Sequence, residues 1–173
     1  MSVHVVIMGV SGCGKTTVAQ AVAKRLGFVM AEGDDFHPKA NVEKMSHGIP
    51  LNDDDRWPWL KTINEWMVGQ DRQGKSTVIS CSALKKAYRD VLRRNLDVLF
   101  VHLVGSEDLI GSRMAKRTGH YMPTSLLPSQ FADLQPLQPG ECGVEVSIDG
   151  TPDEIERQAI EAVERYLKER KAE

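Results

Sequence analysis

Apolar positions along this chain follow two periods, and the periods alternate. Residues 3–8 form a continuous run rich in β-branched side chains and closed by Gly9, which predicts a strand buried on both faces. Over residues 15–26 the pattern switches to helical spacing at Val18, Ala19, Val22, Ala23 and Leu26, with Gly27 placed to cap the helix end. Residues 28–31 read as a short second strand. Leu60, Ile63 and Met67 mark a helix over 55–68, and Gly69 and Gly74 separate it from a third strand at 77–81. Leu84, Tyr88, Val91 and Leu92 give another amphipathic helix over 84–94. A fourth strand at 98–104 leads to Ser106, a predicted N-cap with Glu107 and Asp108 in the positive first turn of the next helix. A fifth strand spans 144–148. Thr151-Pro152-Asp153-Glu154 is then a capping box with proline at the first helical position, opening a last helix striped by Ile155, Ala159, Ala162, Val163 and Tyr166.

Strands alternating with helices predict parallel pairing and right-handed crossovers, hence a three-layer α/β domain with a central five-stranded parallel sheet. No repeat or linker divides residues 1–173. Residues 117–143 carry prolines at 123, 128, 136 and 139 and lack strong periodicity. So long an irregular segment inside a compact domain is expected to be a lid or binding loop.

Composition narrows the function classes. The chain is 41% hydrophobic and 27% charged, ordinary values for a globular domain, and its longest apolar runs fall far short of the ~20 residues that span a bilayer. No basic stretch precedes the first strand as a secretory signal would require. The expectation is a cytoplasmic protein. Cys13, Cys81 and Cys142 form no CxxC pair and, with five scattered histidines, show no zinc-ligand spacing. A net charge of -2 leaves no footprint for nucleic acid or an anionic membrane.

Gly9-Val10-Ser11-Gly12-Cys13-Gly14-Lys15-Thr16 matches GxxxxGK[ST] between a strand and a helix. In that setting backbone N–H groups converge on a phosphate at the positive helix end, Lys15 reaches the β and γ phosphates, and the Thr16 hydroxyl is placed to ligate Mg²⁺. The nucleotide-binding set is therefore Gly9, Val10, Ser11, Gly12, Cys13, Gly14, Lys15, Thr16 and Thr17.

The carboxyl ends of parallel strands share one rim, so the polar residues there are candidates to select the reaction. Asp34, after the second strand, can accept a proton from an acceptor hydroxyl, hold magnesium through water, or cap the next helix. Gly33 before it suggests a close backbone approach. Arg56 can clamp a carboxylate or pair with the neighbouring aspartates. Lys85 and Arg89, four apart, can bind an anionic acceptor or form an exposed basic face. Arg113 and Arg117, also four apart, can close over a transferring phosphoryl group or serve the negative helix end. The third strand lacks a Walker B aspartate, which argues against large motor ATPases.

Several motifs together resemble the small P-loop gluconokinases of bacteria. They are Gly9 to Thr16, Gly33-Asp34 with His37-Pro38, Asn41-Val42-Glu43-Lys44-Met45, Pro50-Leu51-Asn52-Asp53-Asp54-Asp55-Arg56, Cys81-Ser82-Ala83-Leu84-Lys85-Lys86 with Tyr88-Arg89, and Gly119-His120. The similarity runs to about Gln135, and Glu32 departs from the pattern. It implies a P-loop kinase fold with a mobile lid at about 113–135, use of ATP with Mg²⁺, and phosphoryl transfer to the 6-hydroxyl of D-gluconate in sugar-acid catabolism. It further implies a homodimer. By the same resemblance Lys15, Asp34 and Arg117 are catalytic, Arg113 lies on the nucleotide, and His37, Arg56, Lys85, Arg89 and His120 join Asp34 around gluconate. The alternatives are another small-molecule kinase, of the shikimate or adenylylsulfate type, and a nucleotide-gated regulatory protein. The chain lacks the glycine triplet that shikimate kinases carry after the third strand, and a mere switch has no need of an acid beside the γ phosphate.

Overall fold

Five strands, β1 (His4–Met8), β2 (Val29–Glu32), β3 (Thr77–Ser80), β4 (Val98–Val104) and β5 (Gly143–Ser147), pair in parallel in the order β2-β3-β1-β4-β5. The computed structural model describes residues 2–115 and 126–171. Ser80 lies opposite both Ile7 and Glu32, and Met8 opposite His102, so the carboxyl ends of the central strands finish at one edge. β1 is buried at every position, as its unbroken apolar run predicts, because strands lie on both sides of it and helices cover both faces.

Seven helices are present among the described residues: α1 (Lys15–Leu26), α2 (Lys39–Ser46), α3 (Asp53–Arg72), α4 (Lys86–Leu92), α5 (Glu107–Ala115), α6 (Leu127–Asp133) and α7 (Pro152–Lys171). The sheet is entered at its centre, runs to one edge and then works across to the other. Right-handed connections therefore put α1 on one face and α3, α4 and α5 on the opposite one. α1 packs against α7, α3 against α4, and α5 against α6. The core between these layers is continuous, from Val5, Ile7 and Leu60 to Phe100, Ile148 and Val163.

The local signals act as their chemistry demands. The Ser106 hydroxyl accepts from the Leu109 N–H at 3.1 Å, and Thr151 Oγ1 accepts from the Glu154 N–H at 3.2 Å. Gly27 adopts φ 72° at the end of α1. Several elements differ from expectation. α3 starts at Asp53, because Asn52 and Asp55 close a reciprocal capping box, and it continues through Gly69 to Arg72. α4 starts only at Lys86, after an extended Lys85. α2 and α6 occupy stretches without an amphipathic stripe long enough to announce them. None of the described helices is long and apolar enough to cross a membrane, and Cys13, Cys81 and Cys142 form no disulfide among the described residues.

Candidate active site

The phosphate loop leaves β1 at the carboxyl edge and turns into α1. Gly14, at φ 97°, is the N-cap of α1 and supplies no side chain, so the first N–H groups of the helix face the cleft with no side-chain cap. Lys15 Nζ donates to the carbonyls of Gly9 and Val10 at 3.1 and 2.9 Å, which folds the ammonium back over its own loop. Gly12 needs its lack of a side chain: φ is +83°, and a Cβ there would stand 2.3 Å from Met114 Cγ of α5. From the other side, Gln130 of α6 accepts a hydrogen bond from the Ser11 N–H at 2.6 Å. The loop is thus clasped between the two helices that precede and follow residues 116–125.

A cleft of about 310 Å³ opens on this loop, in the range of small-molecule sites. Residues 11–17, Asp34, His37, Arg56, Trp59, Arg113 and Gln130 line it, so most of the candidate residues converge on one place. Gly9 and Val10 act beneath the surface, through the carbonyls that hold Lys15. Cys13 is buried against Gly9 and is structural in its surroundings.

Asp34 is carried by a short 3-10 turn, Gly33–Phe36, directly after β2. The close approach expected at Gly33 is present, since a Cβ there would lie 2.3 Å from the Ser80 carbonyl oxygen. Behind Asp34 stands His37, its side chain only 2% exposed and its Nε2 3.9 Å from Asp34 Oδ1. The ring stacks on Trp59 with centroids 4.0 Å apart and planes 16° from parallel. Trp59 in turn donates from Nε1 to the Gly33 carbonyl at 2.7 Å. Burial pushes the His37 pKa down to about 4; Asp34 opposes the shift and Arg56 adds to it. Trp59 is therefore a stacking platform for a protein ring.

Arg56 is buried, 6% exposed, and its Nη1 donates to the Tyr88 hydroxyl at 2.8 Å and to Asp133 Oδ2 at 2.9 Å. Its partner is thus an aspartate at the end of α6, not one of those beside it in sequence. Burial works against this charge, yet Asp133 and Tyr88 more than offset it and raise the pKa. Asp53 accepts from Tyr88 and, at 3.1 Å, from Lys85; these two donors hold its carboxyl below the ordinary range. Lys85, Arg56, Asp53 and Asp133 line a shallow depression next to the main cleft. Asp55 is occupied by its cap and by Lys44 at 2.6 Å.

Arg89 differs from the expectation of a substrate ligand at the crevice mouth. It is fully buried and lines neither depression. Its Nε and Nη2 meet both oxygens of Glu141 at 2.7 and 3.0 Å, and Nη1 donates to the Ala83 carbonyl at 2.8 Å. Ala83 sits at φ 46°, in a region costly for a residue with a Cβ, and Arg89 holds that turn in place. Arg113 lines the cleft and donates to the Ile148 carbonyl at 2.9 Å. Arg117 and His120 lie outside the described residues.

The oxygen donors suit a hard cation brought in with phosphates. Among the described residues no group of three or more His, Cys, Asp or Glu converges to cage a metal. Thr16 and Asp34 do share the cleft, and a hydroxyl plus a carboxylate is the sparse set that Mg²⁺ uses when waters and phosphates complete its shell.

A protein-family model described as AAA domain matches residues 5–137. The gluconokinase of Gluconobacter oxydans is 48% identical over 156 residues, covering 90% of this chain and 88% of its own. An unliganded sugar kinase from Janibacter superposes with a TM-score of 0.91 at 48% identity over 95% of each chain. A gluconokinase from Sinorhizobium meliloti gives 0.87 at 43% identity, over 96% of this chain and 94% of that one. Identity of this order over nine-tenths or more of the chain means that it belongs to the gluconokinase family.

Proposed function

We propose that this protein is an ATP-dependent sugar-acid kinase that moves the γ-phosphoryl group of ATP to the 6-hydroxyl of D-gluconate, forming 6-phosphogluconate and ADP. The observation that carries the reading is the shared cleft: an anion-seeking helix N-terminus, an acid on the turn after β2 and a buried arginine all face one space. Loop N–H groups and Lys15 neutralise the phosphates, with Lys15 exchanging the Gly9 and Val10 carbonyls for phosphate oxygens. Mg²⁺, held by Thr16 and the phosphates, supplies further charge neutralisation when bound. Asp34 orients the acceptor hydroxyl and takes its proton as the P–O bond forms. Arg56, Lys85 and His37 surround the acceptor and Arg113 lies along the nucleotide; the family resemblance adds Arg117 as a catalytic residue and His120 as a ligand of the acceptor. Arg89 serves the substrate indirectly, by fixing the loop that carries Lys85. A cytoplasmic homodimer completes the reading. Kinases for shikimate or adenylylsulfate fit less well, because the loop after β3 reads Cys81-Ser82-Ala83-Leu84-Lys85.

Coupled ADP-release assays with a panel of sugar acids test the reading. Gluconate is expected to stimulate release far above ATP hydrolysis alone, and Lys15→Ala to abolish that stimulation in a folded protein. No stimulation by gluconate would overturn the assignment.

A further inference from the structure

The orientation of the Asn41 side chain is set by a group that can only accept. Asn41 is 4% exposed, and its Nδ2 lies 2.9 Å from the backbone carbonyl oxygen of Asp55. A carbonyl carries no proton, so the NH₂ end of the amide faces α3. The same nitrogen lies 3.2 Å from Nδ1 of His37. With one amide hydrogen on Asp55, the other points at the ring, and a donor facing Nδ1 requires that nitrogen to hold its lone pair. This excludes the Nδ1–H tautomer and the doubly protonated ring alike. The single ring proton sits on Nε2, and Nε2 faces Asp34 Oδ1 at 3.9 Å.

The ring has little freedom to do otherwise. It is stacked on Trp59, which is itself tied to the carbonyl of Gly33, the residue before Asp34. Its pKa of about 4 keeps the neutral form at working pH. The gap of 3.9 Å is longer than a hydrogen bond and too short to admit a water in line, so a small rotation of Asp34, whose side chain is 44% exposed, closes it.

We propose that Asn41 is a positioning residue for phosphoryl transfer: it locks His37 as the Nε2–H tautomer, and that N–H holds one oxygen of Asp34 while the other receives the acceptor hydroxyl. The opposite tautomer would aim a lone pair at the carboxylate and repel it. The catalytic half of this proposal rests on the kinase reading above; the tautomer does not. It also changes the part of His37, from a ligand of the sugar acid to the group that orients the base.

Two measurements test it together. Long-range ¹H–¹⁵N correlation spectra of histidine-labelled protein at neutral pH should show His37 Nε2 as the protonated nitrogen and Nδ1 as the bare one. Asn41→Leu and His37→Leu should each lower kcat roughly tenfold or more, the order seen when an orienting partner is lost, with the KM for ATP little changed. His37→Gln, whose amide can donate from near the Nε2 position, should recover most of that loss. The double variant Asn41→Leu/His37→Leu should be no slower than His37→Leu alone, because both changes break one relay. A protonated Nδ1 in the unaltered protein overturns the proposal, as do additive losses in a double variant that melts like the single ones, or equal losses in the Gln and Leu variants. Absent gluconate-dependent turnover in the unaltered protein would instead remove the kinase reading and leave the tautomer result standing.

Discussion

The backbone N–H of Ser11 in the phosphate loop donates to Oε1 of Gln130 in α6, across 119 residues of sequence, at 2.6 Å. Both residues are buried, so this bond fixes the outer turn of the loop to the helix that follows residues 116–125. Gln130→Ala leaves the Ser11 N–H without that acceptor, at a cost of about 1–3 kcal/mol. For a chain of this size that lowers Tm by several degrees. Gln130→Glu keeps the acceptor oxygen and adds a negative charge beside the phosphates. It should raise the KM for ATP more than Gln130→Ala does; initial rates and calorimetry on the two variants separate charge from loop support.

Arg89 and Glu141 form a bidentate ion pair whose side chains are 0% and 4% exposed. Removing one charge from such a pair leaves the other buried and unpaired, so Glu141→Gln should destabilise the protein by roughly 3 kcal/mol or more in denaturant unfolding. Burial alone would raise the Glu141 pKa, but Arg89 and the Gln138 N–H outweigh it and hold the carboxyl below its usual range. A carboxyl depressed in the folded state stabilises above its unfolded pKa, and that stability is lost as pH falls through the folded value. Below the ordinary carboxylate range the Gln variant and the unaltered protein should therefore converge. The Ala83 turn should loosen as well, seen as a higher KM for gluconate with the KM for ATP retained.

The parts of this architecture carried by local periodicity were legible in advance. The run ending at Met8, the stripe of α1 and the Thr151 capping box each encode their element within a few neighbouring residues. α2 and α6 were not, because eight and seven residues with short apolar patterns give no stripe to read. Site residues divide in the same way. Lys15, Thr16 and Asp34 lie at fixed offsets from strand ends, and the sheet brings strand ends together. Arg89 read as a ligand of an anionic acceptor or part of an exposed basic face because its partner, Glu141, is 52 residues away, and nothing in the spacing foretells the pairing. Asn41 stood inside a noted motif without a role; its role comes from Asp55 and His37 arriving on either side of one amide.

Arg56 reaches the cleft already engaged, since Asp133 and Tyr88 share its Nη1. A sugar-acid carboxylate arriving at this guanidinium has to compete with the Asp133 carboxylate. Asp133→Asn keeps the shape and removes the competing charge, so it should lower the KM for gluconate severalfold. Arg56→Lys loses the planar fork that grips a carboxylate and should raise it about tenfold or more. The KM for ATP should move little in either variant, and steady-state kinetics with each substrate varied in turn checks both. A gluconate KM unchanged by Asp133→Asn would mean that the acceptor's carboxylate does not use Arg56.

His102 sits in β4 between Met8 and Glu145 of the flanking strands, 3% exposed, and among the described residues its Nδ1 has no hydrogen-bond partner. Burial foremost, then the charges of Arg89 and Lys15, push its pKa down to about 4. The unfolded chain, with an ordinary histidine at 6.5, therefore takes up this proton more readily than the folded one. Stability from the neutral ring is fully present above pH 6.5 and falls away as the pH drops toward 4, by about 3 kcal/mol for a shift of this size. His37 adds a second loss in the same window, since it too is held near 4. His102→Met, apolar and flexible enough to fill the site, should remove one of the two losses and leave the other. Guanidinium unfolding at pH 7 and pH 4.5 should then show a smaller drop for the variant than for the unaltered protein. An equal drop would mean that His102 takes up its proton as readily in the folded sheet as in the unfolded chain.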